Sequence, residues 1–106
     1  MKTYSGTRTE SGCAVTVTDG GCRGLAPRFD LRTHSPDGFE WGYGGSGPAQ
    51  LALALAADLL GDDEAALGVY QWLKFRVVAR LAAEGWTLTE VELGDVIRSL
   101  DSAAGE

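Results

Sequence analysis

The densest chemical signal in the chain is Gly42-Tyr43-Gly44-Gly45-Ser46-Gly47, with Pro48 opening an apolar stretch directly behind it. Glycines at this density let backbone N–H groups approach an anion, and the N-terminus of a following helix adds a favourable dipole. With Arg28, Arg32 and His34 a short way upstream, the segment could hold a phosphate-bearing small ligand. The spacing fits the G-x-G-x-x-G dinucleotide fingerprint between a strand and a helix. That fold, however, requires a second parallel strand ending in an acid about 20 residues on, and Asp62 and Asp63 open a helix instead. As a P-loop the run fails, because Pro48 and Ala49 stand where Lys and Ser/Thr must grip phosphate and metal. As a nucleophile elbow it fails as well, since Gly44-x-Ser46 runs into Gly47-Pro48. The structural alternative gives the glycines to a close crossing against a sheet, Ser46 to a helix N-cap or the position beside it, and Arg32 to an ion pair with Glu40.

Other reactive types are sparse. His34 is the single histidine and has no carboxylate or nucleophile at a local spacing, so a turn position suffices for it. Phe39, Trp41 and Tyr43 alternate and would share one face of a strand, as a stacking platform or, beneath helices, as core. The acidic set Glu84, Glu90, Glu92, Asp95 and Asp101 could imitate a phosphate backbone or form a solvated helical face. Cys13 and Cys22 flank an Asp19-Gly20-Gly21 turn. A two-residue loop would face Asp19 with Cys22 and leave Cys13 roughly 20 Å away, beyond the roughly 7 Å that a disulfide spans between α-carbons. With one histidine and two distant thiols, neither a metal nor a cofactor is expected.

The elements that must position these residues divide the chain in two. Residues 1–46 read as mainly strand: a candidate at 3–9, alternation from Cys13 to Thr18, and a hairpin through Ser35-Pro36-Asp37-Gly38. That hairpin would set Leu31 beside Trp41, Phe29 beside Tyr43 and Arg32 beside Glu40. Residues 47–101 read as three helices, and 102–106 as a frayed tail. Helix one runs from Gly47-Pro48 to Gly61, apolar all round apart from Gln50 and Asp58, and so should be the central buried element. Helix two starts at the N-cap Asp62 and ends near Gly85. Helix three opens with the capping box Thr89 and Glu92 and presents Leu93, Val96, Ile97 and Leu100.

Helix two carries two apolar stripes. One is Ala66, Tyr70, Leu73, Val77 and Leu81; the other is Ala65, Gly68, Trp72, Phe75 and Ala79. Two stripes need two covers. The core supplies one, and the second stripe is expected to meet a protein partner, which could be another copy of the chain in a homodimer.

At 106 residues the chain is expected to form one domain with a modest core. Residues 1–48 balance five basic against five acidic side chains, so the net charge of −6 comes wholly from four basic and ten acidic residues in 49–106. Phosphate neutralisation needs a clustered basic footprint, so nucleic-acid binding is not expected. The polar opening does not read as a signal peptide, and the longest apolar run, 48–57, falls short of the roughly 20 residues that cross a bilayer. No membrane role and a cytoplasmic setting are expected.

The segment HSPDGFEWGYGGSGPAQLALALAADLL, residues 34–60, resembles an uncharacterised family of small proteins from phages, plasmids and bacterial genomes. In that family a similar aromatic and glycine-rich run leads into an Ala/Leu helix, then a helix like residues 70–81 and a Trp-Thr-Leu-Thr segment like Trp86 to Thr89. The likeness covers about two-thirds of the chain. It implies a mobile-element setting in which small acidic accessory proteins bind host proteins; it implies no metal ligand and no catalytic residue. The sequence therefore predicts an α+β fold, with a small N-terminal antiparallel sheet of hairpins packed on three C-terminal helices. The function expected is non-enzymatic binding of a host or phage protein, including inhibition of a host defence system. The alternative is the phosphate-bearing ligand at the glycine loop.

Overall fold

The computed structural model describes residues 1–104, with side chains described through Ser99. Its elements run β1 (Thr3–Thr9), β2 (Gly12–Thr18), β3 (Cys22–Gly24), α1 (Ser46–Leu60), α2 (Asp63–Arg76), a single 3-10 turn (Val78–Arg80), β4 (Gly85–Thr89) and α3 (Glu90–Ala104). The fold is α+β, as the sequence indicates. The four strands form one antiparallel sheet in the order β3-β2-β1-β4.

Alternation decides which face of the sheet is buried. Tyr4, Val15 and Val17 point inward into one cluster with α1, and Trp86 and Leu88 of β4 pack on its margin. Register pairs Tyr4 with both Val17 and Leu88, so β1 is an inner strand of that face, flanked by β2 and β4. β4 was not anticipated as a strand. It enters from between α2 and α3 and pairs with β1 across about eighty residues of chain.

α1 is the central buried element expected from its composition, with Ala49 through Ala57 closed off from solvent. It stops at Gly61, which takes the left-handed conformation (φ 64°) and returns its N–H to the Ala57 carbonyl. α2 starts at Asp62, whose carboxylate accepts from the Ala65 N–H at 3.1 Å. α3 starts at the capping box: Glu92 N–H donates to Thr89 Oγ1 (3.1 Å) and Thr89 N–H to Glu92 Oε1 (3.0 Å). It continues to Ala104, past the expected limit at 101; the Leu100 side chain and residues 105–106 of the expected tail lie outside the described residues.

The polar residues that interrupt α1 organise its surroundings. Gln50 is fully buried and uses every bond it can make. Its amide NH2 donates to the carbonyls of Pro27 (2.7 Å) and Arg32 (3.1 Å), and its oxygen accepts from the N–H groups of His34 (2.7 Å) and Ser35 (3.2 Å). Asp58 accepts from Tyr4 Oη (2.8 Å), Arg23 Nη2 (2.8 Å) and Lys2 Nζ (3.3 Å), fastening α1 to three points of the sheet end. Burial pushes the Asp58 carboxyl up, but Arg23, Tyr4 and Lys2 together outweigh it and hold it below the usual range.

The expected hairpin through residues 28–43 does not form. Residues 25–45 hold no strand; Arg28 sits at φ 60°, and the Leu31 N–H closes a turn onto the Arg28 carbonyl at 3.0 Å. The Gln50 side chain instead holds the Pro27 and Arg32 carbonyls and the His34 and Ser35 N–H groups against α1. Arg32 therefore does not meet Glu40, which is gripped by Arg8 through two bonds of 2.9 and 3.0 Å. The β2–β3 hairpin also differs, with Thr18 rather than Asp19 opposite Cys22. The conclusion drawn for the cysteines holds: both thiols are free.

Candidate functional site

The face that stands out is built by α2 and by the glycine-rich loop running beside it. α2 turns Ala66, Tyr70 and Leu73 into the core and leaves its second stripe uncovered. Trp72 is 58% and Phe75 56% exposed, and Ala65 and Gly68 on the same side are open to solvent. The stripe ends where the helix does. Val77 leaves helical geometry (φ −124°, ψ −62°), so Ala79 lands half-buried on the 3-10 turn and does not continue the stripe.

The loop extends this face. Gly42 bonds the Val78 carbonyl through its N–H at 3.0 Å. It adopts φ 86°, and a Cβ there would press to 3.3 Å on the Leu81 carbonyl oxygen, so the position requires glycine. This is the positive-φ reversal in the run; Gly44, Gly45 and Gly47 have ordinary φ. Gly44 lies against Phe75, where a Cβ would sit 3.5 Å from the ring. Tyr43, expected in the core, is 52% exposed and folds its ring back over Gly45. The alternation that groups it with Trp41 is broken at Gly42, and only Trp41 is buried, at 1% exposed. Trp41 donates from Nε1 to the Ala83 carbonyl (3.2 Å) and meets Trp86 edge to face, 5.6 Å between centroids.

Charge frames the aromatics. Lys74 Nζ lies 4.3 Å from the Phe75 centroid, and the Arg76 guanidinium 5.8 Å from that of Trp72. At the opposite end of the helix stand Asp62, Asp63 and Glu64. The exposed side of α2 is thus acidic at its start, small and then aromatic along its middle, and basic at its end.

The residues that could hold a phosphate are not gathered. Gly45 is the N-cap of α1 with Ser46 next to it, and no side chain caps that terminus. Glu40 packs on the first turn, where a Cβ at Gly47 would lie 2.5 Å from its own. Arg8 holds the Glu40 carboxyl below its ordinary range, so an anionic side chain already stands beside the helix start. Arg28 clasps Asp30 (3.0 Å) and Asp63 (2.9 Å) at the start of α2. That lies toward the far end of α1, a helix roughly 22 Å long at 1.5 Å per residue. Arg32 donates to the neighbouring Leu31 carbonyl at 2.7 Å. His34 has a partner the sequence did not reveal, Tyr70 Oη at 2.8 Å from Nε2. Among the described residues, no group of three or more His, Cys, Asp or Glu is placed to hold a metal, and no helix is long and apolar enough to cross a membrane.

Comparison with curated proteins and with solved structures found no match. A family model described as a family of unknown function, DUF6166, matches residues 4–99. The match runs from β1 into the last turns of α3 and takes in the sheet, the glycine loop and the aromatic helix face, so the chain belongs to DUF6166.

Proposed function

We propose that this domain performs no chemistry of its own and acts by binding protein through the face formed by Trp72, Phe75 and Tyr43. The observation that carries this reading is the exposure of Trp72 and Phe75 side by side on a helix whose other stripe already serves the core. Large aromatics with cationic neighbours are the residue types that anchor protein interfaces, and leaving the exposed halves of these two in water forfeits roughly 1–1.5 kcal/mol each. Elsewhere in the domain, charged side chains are spent on structure: Arg28 on Asp30 and Asp63, Arg8 on Glu40, and Lys2 and Arg23 on Asp58. The resemblance to small proteins of phages, plasmids and bacterial genomes supports an accessory role directed at a host or phage protein, with inhibition of a host defence system as its outcome.

The test compares wild type with a Trp72→Glu, Phe75→Glu double variant. Both are checked for fold by circular dichroism, then used to capture binding proteins, and each captured protein is purified and titrated against both. Specific binding by wild type and its loss in a folded double variant are expected. A folded double variant that binds the same proteins equally well removes this face from the function.

A further inference from the structure

Resting on the reading that this face binds protein, we infer that its direct occupant is a second copy of the chain, with the two α2 helices antiparallel across a two-fold axis near residue 70. The stripe is self-complementary about that point. Ala65 and Phe75 lie five positions either side of residue 70, and Gly68 and Trp72 lie two. In an antiparallel pair each large aromatic of one copy therefore faces a small residue of the other: Phe75 over Ala65, Trp72 over Gly68. A two-fold interface uses the same patch twice, so this matching of size must be internal to one helix, as it is here.

Gly68 supplies an independent observation. It sits within α2, exposed, and a Cβ added there would meet nothing within 4 Å. Glycine in a helix interior is unfavourable relative to alanine, and nothing in the single chain asks for it. A Trp72 indole laid across this position from another copy gives the missing side chain a reason.

Charge points the same way. Antiparallel pairing brings Asp62 and Glu64 of each copy against the Lys74 and Arg76 turn of the other, and also opposes the helix dipoles. The net charge of −6 works against self-association, and this local pairing offsets it where the two surfaces touch. The unit that approaches a host or phage protein is then the dimer.

Sedimentation velocity from micromolar to millimolar concentration tests this together with cross-linking in a Cys13→Ser, Cys22→Ser background. Gln71 flanks the seam beside the axis, so Gln71→Cys should join to its own symmetry mate on mild oxidation. Glu64→Cys should not, because its symmetry mate lies at the far end of the helix pair. Gly68→Ala should raise the melting temperature of the dilute monomer while weakening the dimer by about tenfold or more, as overpacking does. A wild type that stays monomeric throughout overturns the inference. Cross-linking at both cysteines, or at neither in a protein that dimerises, overturns the antiparallel register. If wild type is monomeric yet purified partners bind it and not the Trp72→Glu, Phe75→Glu variant, the dimer falls and the protein-binding reading stands. If those partners bind both equally, both fall.

Discussion

Replacing Gln50 by leucine keeps the side-chain volume and deletes four hydrogen bonds at a fully buried position. All four partners are main-chain groups of residues 27–35, and with leucine in place they face hydrocarbon. At about 1 kcal/mol net for each bond, the loss is about 4 kcal/mol. Pro27 and Arg32 lie partly open to solvent, so water can recover some of their share and bring the figure nearer 3 kcal/mol. That is a large fraction of the 5–15 kcal/mol typical of a domain this size. The loop has an escape, however, since residues 27–35 can peel from α1 while the sheet and helices persist. Urea denaturation reads the global cost, and amide exchange at His34 and Ser35 reads the local one. Expected is a lower midpoint together with a large loss of protection at those two amides. Gln50→Glu adds a pH signature. Its carboxylate would point at two carbonyl oxygens without solvent, so its folded-state pKa is raised above the unfolded value near 4.3. The variant should be most stable below that pH and lose about 1.4 kcal/mol per unit as pH rises toward the folded-state value. A Gln50→Leu protein within 1 kcal/mol of wild type, with His34 and Ser35 still protected, would refute the argument that this side chain organises the loop.

Trp41→Ala should cost about 3–5 kcal/mol in thermal or urea melts, as expected for a buried aromatic, while Tyr43→Ala stays within about 0.5 kcal/mol. Asp58 contributes stability that is present above its unfolded pKa near 3.9 and is lost as pH falls through its lower folded value. The gap in urea midpoint between wild type and Asp58→Asn should therefore narrow from pH 7 to pH 3; a constant gap would show that the Lys2, Tyr4 and Arg23 contacts do not lower it. Gly47→Ala should destabilise by about 1–3 kcal/mol, because its Cβ would meet the Glu40 Cβ at 2.5 Å. Gly44→Ala makes only an ordinary contact with Phe75 and should melt close to wild type.

What the sequence revealed was what neighbours in the chain decide. Asp62, Gly61 and the Thr89–Glu92 box mark helix ends because each bonds within a few residues of itself. The two stripes of α2 were legible for the same reason; one serves the core, and the other leaves Trp72 and Phe75 exposed. The sequence misled where partners lie far apart. Phe39, Trp41 and Tyr43 alternate like a strand, yet their segment is held by the stretch that follows α2, through the Gly42 N–H on the Val78 carbonyl and Trp41 Nε1 on the Ala83 carbonyl. β4 was missed although Trp86 and Leu88 alternate with Thr87 and Thr89, because its partner strand lies some eighty residues upstream and leaves no local mark. For the alternative ligand site, adjacency in sequence suggested a cluster of Arg28, Arg32 and His34 that the fold draws apart toward Asp63, Leu31 and Tyr70.

The place of β4 beside β1 has a consequence for how the protein is made. Lys2 and Glu90 exchange bonds: the Glu90 N–H reaches the Lys2 carbonyl at 3.0 Å, and the Lys2 N–H reaches Glu90 Oε1 at 2.7 Å. During synthesis β1 thus keeps one edge bare until residues 85–89 follow, and an unpaired edge is open to neighbouring nascent chains. Closing that contact fastens the whole intervening chain into a ring, a late and non-local step that slows folding relative to the helices it encloses.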